Sequence, residues 1–172
     1  MNETTCIREE TIISSLDSVL AARALLTSLT PLKTDCGRLC EGACCHGDDA
    51  TGMLLFPGEA ALYEGCDFAK VIPAEFDLAG ERAQLLVCGG HCDRDNRPLA
   101  CRLFPLYLKF LKSGRTKVKM DPRAAAVCPL TDYGVEALDS AFVDAARQAY
   151  DVLLEDEVCA RYLKELDEAF SL

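Results

Sequence analysis

Hydrophobic positions recur at three- and four-residue spacing near both ends of the chain. Ile12, Ile13, Leu16, Val19, Leu20 and Ala24 form one stripe, which predicts an amphipathic helix over about residues 8–29. Pro31 stops it, because the residue before a proline is pushed out of helical geometry. Val135, Leu138, Phe142, Ala145, Ala149 and Val152 form a second stripe, and Val158, Tyr162, Leu166 and Phe170 a third. These predict helices over about residues 132–171, with Glu155-Asp156-Glu157 between them as a turn or a solvated stretch. Elsewhere the period changes. Thr116, Val118 and Met120 alternate with Lys117 and Lys119, and Leu106 to Leu111 precede a Lys112-Ser113-Gly114-Arg115 turn, so a β-hairpin is expected there. Gly52 to Phe56 reads as a short strand, and Pro57 suits the first turn of a short helix through Ala60 to Tyr63. Residues 64–87 carry weak signals, broken by Pro73 and Gly80. With no repeat and no long linker, residues 1–172 read as a single domain, mostly α with a minor β-hairpin.

Composition supports one packed domain. Of 172 residues, 50% are hydrophobic and 27% charged, which favours a core over disorder. The net charge of −10 argues against general nucleic-acid or anionic-membrane binding. No apolar run approaches the roughly 18 residues of a membrane span. Met1 to Glu10 carries acids where an export signal carries bases, so a cytoplasmic chain is expected. Charge is also uneven: residues 132–172 hold eleven acids and three bases, and residues 102–123 hold seven bases and one acid. Two solvated faces account for this. A basic hairpin beside an anionic metal–thiolate centre, or against an acidic protein partner, is the sharper account.

Eleven cysteines change the picture most. Cys36-x3-Cys40-x3-Cys44-Cys45 is interleaved with Gly37, Gly42 and Gly47, and Cys88-Gly-Gly-His-Cys92 is followed by Cys101 and Cys128-Pro129. Free thiols at tight spacing in a reducing compartment point to metal ligation, with glycines letting the backbone approach the centre. An odd cysteine count without an export signal argues against a disulfide scaffold. The expectation is therefore a fold organised around a cysteine-ligated metal centre, with a metal-binding core over about residues 36–129. There is no C-x2-C knuckle of the zinc-ribbon kind, and iron–sulfur clusters accept more varied spacings, although thiolates suit both metals. Adjacent side chains tend to point apart, so Cys44 and Cys45 can serve different centres, or only one of them can ligate. His46 and His91 each abut a cysteine and are candidate ligands or hydrogen-bond donors to sulfur. Arg97 and Arg102 flank Cys101 as surface or charge-compensating groups, while Pro98, Phe104 and Pro105 shape the loop and enter the core. Cys6, Cys66 and Cys159 read as ordinary small apolar residues. No phosphate loop, dinucleotide fingerprint or zinc-protease motif is present.

The first cluster ends in Gly42-Ala43-Cys44-Cys45, and Arg97-Pro98-Leu99-Ala100-Cys101-Arg102-Leu103-Phe104-Pro105 matches an R-P-x-x-C-R-x-F-P pattern, followed later by Cys128-Pro129. Over Cys36 to Pro129 the chain resembles the cysteine-cluster family described as a zinc- or iron-chelating domain, which includes the flagellin lysine N-methylases. The spacings in the first cluster are slightly longer than that family's, and the Cys88–Cys92 gap is shorter. The resemblance implies Cys36, Cys40, Cys44, Cys45, Cys88, Cys92, Cys101 and Cys128 as metal ligands. The leading expectation is one or two iron–sulfur clusters serving electron transfer or sensing. A zinc-chelating structural or protein-binding module is the first alternative. An S-adenosylmethionine-dependent lysine N-methylase is the second, with no independent cofactor motif in the chain.

Overall fold

A computed structural model describes residues 15–46, 51–90 and 92–170. Helix α1 (15–25) opens the described chain. A one-turn helix α2 (Gly37–Cys40) and a 3-10 turn (Ala43–Cys45) carry the first cysteine cluster. Strands β1 (Met53–Leu54), β2 (Ala69–Leu78) and β3 (Glu81–Cys88) follow, then helix α3 (Leu99–Leu103), strands β4 (Leu106–Phe110) and β5 (Thr116–Met120), and helices α4 (Ser140–Leu154) and α5 (Glu157–Phe170). The strands form two antiparallel sheets, one ordered β1-β3-β2 and the other a β4-β5 hairpin.

The expectation of a mostly α fold with one minor hairpin, built around a metal centre, is corrected on both counts. Strands occupy 20% of the described residues against 48% in helices of all kinds, which makes the chain α+β. The strands missed are β2 and β3, in the stretch that carried weak signals. Pro73 hid the first: β2 lies at the edge of its sheet, where a missing N–H is tolerated, and the ladder shifts register between Pro73 and Asp77. Gly80, read as a break, is half of a two-residue hairpin loop. Ala79 (φ 54°) and Gly80 (φ 82°) both take the left-handed backbone that such a loop needs. Alanine is costly in that conformation, and α5 stabilises it. Ala79 N donates to Glu165 Oε2 at 2.6 Å, and Arg161 donates to the Ala79 carbonyl.

The second count concerns what fills the middle of the molecule, which is hydrocarbon. Val19, Leu26, Leu99, Leu103, Phe142, Ala146, Leu153 and Tyr162 belong to one buried cluster joining α1, α3, α4, α5 and both sheets. Among the described residues, no three His, Cys, Asp or Glu side chains are grouped so that they could hold a metal ion. The apolar stripes suffice for a core, and the eight clustered cysteines lie at its margin.

The stripes themselves need adjustment. On α1 the inward positions are Val19, Ala22 and Leu26, while Leu20 is 40% exposed and Ala24 is exposed; Ile12 and Ile13 lie outside the described residues. On α4, Phe142, Ala145 and Ala149 are buried as the stripe requires, with Val143, Ala146, Tyr150 and Leu153 added. Val135 to Ala137 form a separate 3-10 turn, and Asp139 caps α4 by accepting from Ala141 N at 2.8 Å. Only Glu155 and Asp156 separate α4 from α5, so the helices run back to back. Asp156 caps the second through Cys159 N at 2.8 Å, and accepts Ser15 Oγ of α1 at 3.0 Å. The hairpin is as expected. Its inner residues Leu106, Leu108 and Val118 are buried, and α5 fastens it where Asp167 accepts Phe110 N at 3.0 Å and Lys109 Nζ at 3.1 Å. No helix among the described residues is long and apolar enough to cross a membrane.

Because the core is hydrocarbon, stability should respond to its largest member. Phe142→Ala is expected to cost about 3–5 kcal/mol. Urea denaturation at a fixed metal content reads this directly, and a loss below about 1 kcal/mol would contradict the packing described.

Candidate metal centre

The segment that precedes α3 is shaped by two short polar devices. Tyr63 Oη donates to the Asn96 carbonyl at 2.9 Å, holding the 3-10 turn Arg94–Asn96 against the helical turn Glu59–Tyr63. Arg102 donates to the carbonyls of Arg97 (3.0 Å), Arg94 (3.1 Å), Asp95 (2.9 Å) and Arg23 (3.4 Å), and to Thr27 Oγ1 (3.3 Å). Arg102 is thus a tie between α1 and the loop over residues 94–97. Its companion Arg97 does something else: its side chain hydrogen-bonds Cys92 and lies close enough to Cys36, Cys45 and Cys101 to feel their charge. The two flanking arginines therefore divide the alternatives raised for them.

Glu59 is the residue that sequence reasoning missed. Its side chain is fully buried, yet Oε1 accepts Leu99 N at 2.7 Å and Oε2 accepts Phe56 N at 3.1 Å, with Arg23 at 3.8 Å. Pro98 offers α3 no side-chain cap, so Glu59 supplies one from across the chain. Burial raises its carboxyl above the ordinary 4.5, against the opposing pull of these two N–H groups, Arg23 and Arg102. Nothing in the Pro57-Gly58-Glu59 text distinguishes it from a solvated glutamate.

Around this frame lie two adjoining clefts. One, open to solvent, is lined by Cys36, Cys40, Cys44, Cys101 and Cys128 with Arg94, Arg97 and apolar walls from Leu26, Leu29, Pro31 and Val127. The other is lined by Cys44, Cys45, Cys88, Cys92 and Cys101 with His46, Arg97, Phe68 and Leu86. Cys44, Cys101, Arg97 and Phe104 face both. All eight cysteines proposed as ligands therefore line one cleft or both, and Cys66 and Cys159 line neither. Cys159 is buried in the core and Cys66 donates to the Leu62 carbonyl at 3.8 Å. Pro98 and Pro105 are buried as expected, and the Phe104–Pro105 peptide is cis. His46 lines the second cleft; His91 and Cys6 lie outside the described residues.

The thiols shape one another's chemistry. Burial pushes Cys101 up strongly, and Cys45, Cys92 and Cys88 add to it. A hydrogen bond with Cys45 is the main cause of the upward shift at Cys44, followed by burial. Cys36 is raised by burial, then by Asp35, Cys128 and Cys40, with Arg97 opposing. Cys92 is raised by burial against the opposing Arg97 hydrogen bond, and Cys128 by burial against backbone hydrogen bonds. These couplings tie Cys36, Cys40 and Cys128 together, and Cys45, Cys88, Cys92 and Cys101 together, with Cys44 coupled to Cys40, Cys45 and Cys101. Crowded thiolates repel, and a cation placed among them would reverse the sign of that interaction.

No protein-family model matches this chain, and no curated protein or solved structure matches it either.

Glu59 supplies a pH test. A carboxyl raised in the folded state binds more protons folded than unfolded, so its contribution to stability is greatest below about pH 4.5 and declines as pH rises through its folded value. Wild-type stability measured by urea from acid to neutral pH should fall relative to Glu59→Gln, which cannot titrate. Parallel profiles would contradict the assignment. Glu59→Ala, which strands two N–H groups and Arg23, should cost about 3–5 kcal/mol.

Proposed function

We propose that this chain is a soft-metal protein, holding iron–sulfur clusters through Cys36, Cys40, Cys44, Cys45, Cys88, Cys92, Cys101 and Cys128 and serving electron transfer or redox sensing. The observation that carries the reading is the coincidence of those eight cysteines, and of no other described cysteine, with the walls of two adjoining clefts. An all-sulfur donor set suits iron–sulfur clusters and zinc alike. Among the described residues no three His, Cys, Asp or Glu side chains are grouped to hold a single ion, and iron–sulfur clusters accept more varied cysteine spacings than a single ion does. Arg97 and the loop amides are placed to donate to sulfur, the kind of contact that tunes a cluster's potential. A cluster bound there would supply reversible one-electron chemistry. The chain's own residues provide the soft donors, the apolar walls and the compensating cation.

Eight free thiols belong in a reducing compartment, which agrees with the cytoplasm. Lys117 and Lys119 stand exposed on the outer face of β5 and offer a docking surface to an acidic protein partner. The resemblance to lysine N-methylases leaves a methyl-transferring enzyme as a further reading, but no feature of the clefts favours it.

Protein purified without oxygen should show a broad sulfur-to-iron charge-transfer absorption that bleaches on reduction. Cys101→Ser should lose most of that absorption, because Cys101 faces both clefts, whereas Cys66→Ser should keep it. A colourless wild type with zinc on elemental analysis would replace the cluster with the structural zinc alternative.

A further inference from the structure

Folding leaves two surfaces of opposite charge unneutralised. On β5, Val118 is buried, so strand alternation turns Lys117 and Lys119 outward, and both are exposed. The hairpin tip adds Lys112 and Arg115, also exposed. In the ladder Lys117 stands opposite Lys109, a like-charge pairing that costs stability. Asp167 offsets Lys109 at 3.1 Å. Among the described residues Lys112, Lys117 and Lys119 take part in no ion pair.

The second surface is the outer face of α4. With Phe142, Ala146, Ala149 and Leu153 buried on the inner side, Asp144, Gln148 and Asp151 are exposed along one line, which Glu155 continues at the C-cap. Arg147 neutralises Asp144 at 2.7 Å. Asp151 and Glu155 have no ion pair among the described residues. The last turn of α4 holds no base, so Asp151 adds a negative charge at the negative end of the helix dipole. Asp156 and Glu157, next in the chain, serve the start of α5 instead.

The two surfaces match in spacing as well as in sign. Lys117 and Lys119 are about 7 Å apart along the strand. Asp151 and Glu155, one helical turn apart, are separated by about 6 Å. A strand laid along the helix can therefore pair both lysines with both carboxylates at once. Tyr107, half-buried opposite Lys119 in the ladder, adds an aromatic flank. The hairpin and α4 bury their other faces in the same core, so the lysines and carboxylates point away from it and do not pair within the chain.

We propose that a second copy of this chain is the acidic partner, with Lys117 and Lys119 of one copy docked on Asp151 and Glu155 of another. The inference rests on the basic docking surface named above and not on the metal reading. The contact is heterologous, since a surface of one copy meets a different surface of the next. The net charge of −10 opposes it at long range. At physiological salt the Debye length of about 8 Å screens that repulsion and leaves charges in direct contact to act.

Sedimentation of the full chain, kept reduced so that no intermolecular disulfide contributes, reads the contact. Self-association should grow with protein concentration at about 0.15 M salt and disappear at about 1 M. Lys117→Glu with Lys119→Glu should weaken it at least about tenfold, and so should Asp151→Lys with Glu155→Lys. Each double variant presents like charges to its own copies, yet the two complement each other, so an equimolar mixture should regain the wild-type affinity. All four positions are exposed, and far-UV circular dichroism checks that each variant is folded. A wild type that stays monomeric up to about 1 mM, an association indifferent to both reversals, or a mixture that fails to associate would overturn the inference. None of these touches the metal reading. Binding of polyglutamate by the wild type, lost in the Lys117→Glu, Lys119→Glu variant, would then keep the surface for a foreign acidic protein; no binding would remove that reading too.

Discussion

The carboxylate of Glu59 has protein on every side, and three segments meet on it. It caps α3 through Leu99 N, fixes the exit from β1 through Phe56 N, and lies beside Arg23 of α1. Burying a charge costs several kcal/mol unless it is hydrogen-bonded and paired, and Glu59 has both compensations. Its partners extend outward: Arg23 also donates to the Asp95 carbonyl, beside the carbonyls that Arg102 gathers. The backbone on either side of Cys92 and Cys101 therefore takes its shape from a small polar cluster set into a hydrocarbon interior. A burial of this kind is expensive, and here it orients a helix that carries a thiol facing both clefts.

The molecule is assembled on two physical principles that occupy different places. Apolar burial unites α1, α4, α5 and both sheets, and it needs only that each element present one hydrophobic face. Thiols cannot be massed in such an interior in ionised form, because desolvation and mutual repulsion both oppose the charge. They line clefts at the margin of the core, where Arg97 can reach them. Four stand on the frame and four on the segment over residues 36–45.

Charge follows a similar division. The acidic C-terminal helices and the basic hairpin are separate blocks in the chain, yet they meet where Asp167 of α5 takes Lys109 and Phe110 N of β4. Asp121 and Arg123 form a second pair, with the guanidinium 4.6 Å from the centre of the Phe170 ring. Part of the hairpin's charge therefore fastens it to the domain. Lys117 and Lys119, on the outer face, remain exposed.

What the chain determined by itself were the features that depend on near neighbours. Three-residue spacing marked α4 and α5, and alternation marked β5, because each of these is a property of a few consecutive residues. The β2–β3 hairpin escaped because its strands are an edge strand with a proline and a half-exposed partner, and edge position is known only once a sheet exists. The inward face of α1 was off in part for a related reason: Leu20 and Ala24 are as apolar as a core requires, and only tertiary packing keeps Val19 inward and adds Ala22 and, just past the helix, Leu26. The role of Glu59 was likewise invisible, and the two readings of Arg97 and Arg102 stayed open, since the contacts that decide them include atoms tens of residues away. Composition along the chain decided which side chains could do soft-metal chemistry. Tertiary structure decided that a hydrocarbon core lies beneath them and that a buried carboxylate orients one of them, because contact and burial are settled only when distant parts of the chain meet.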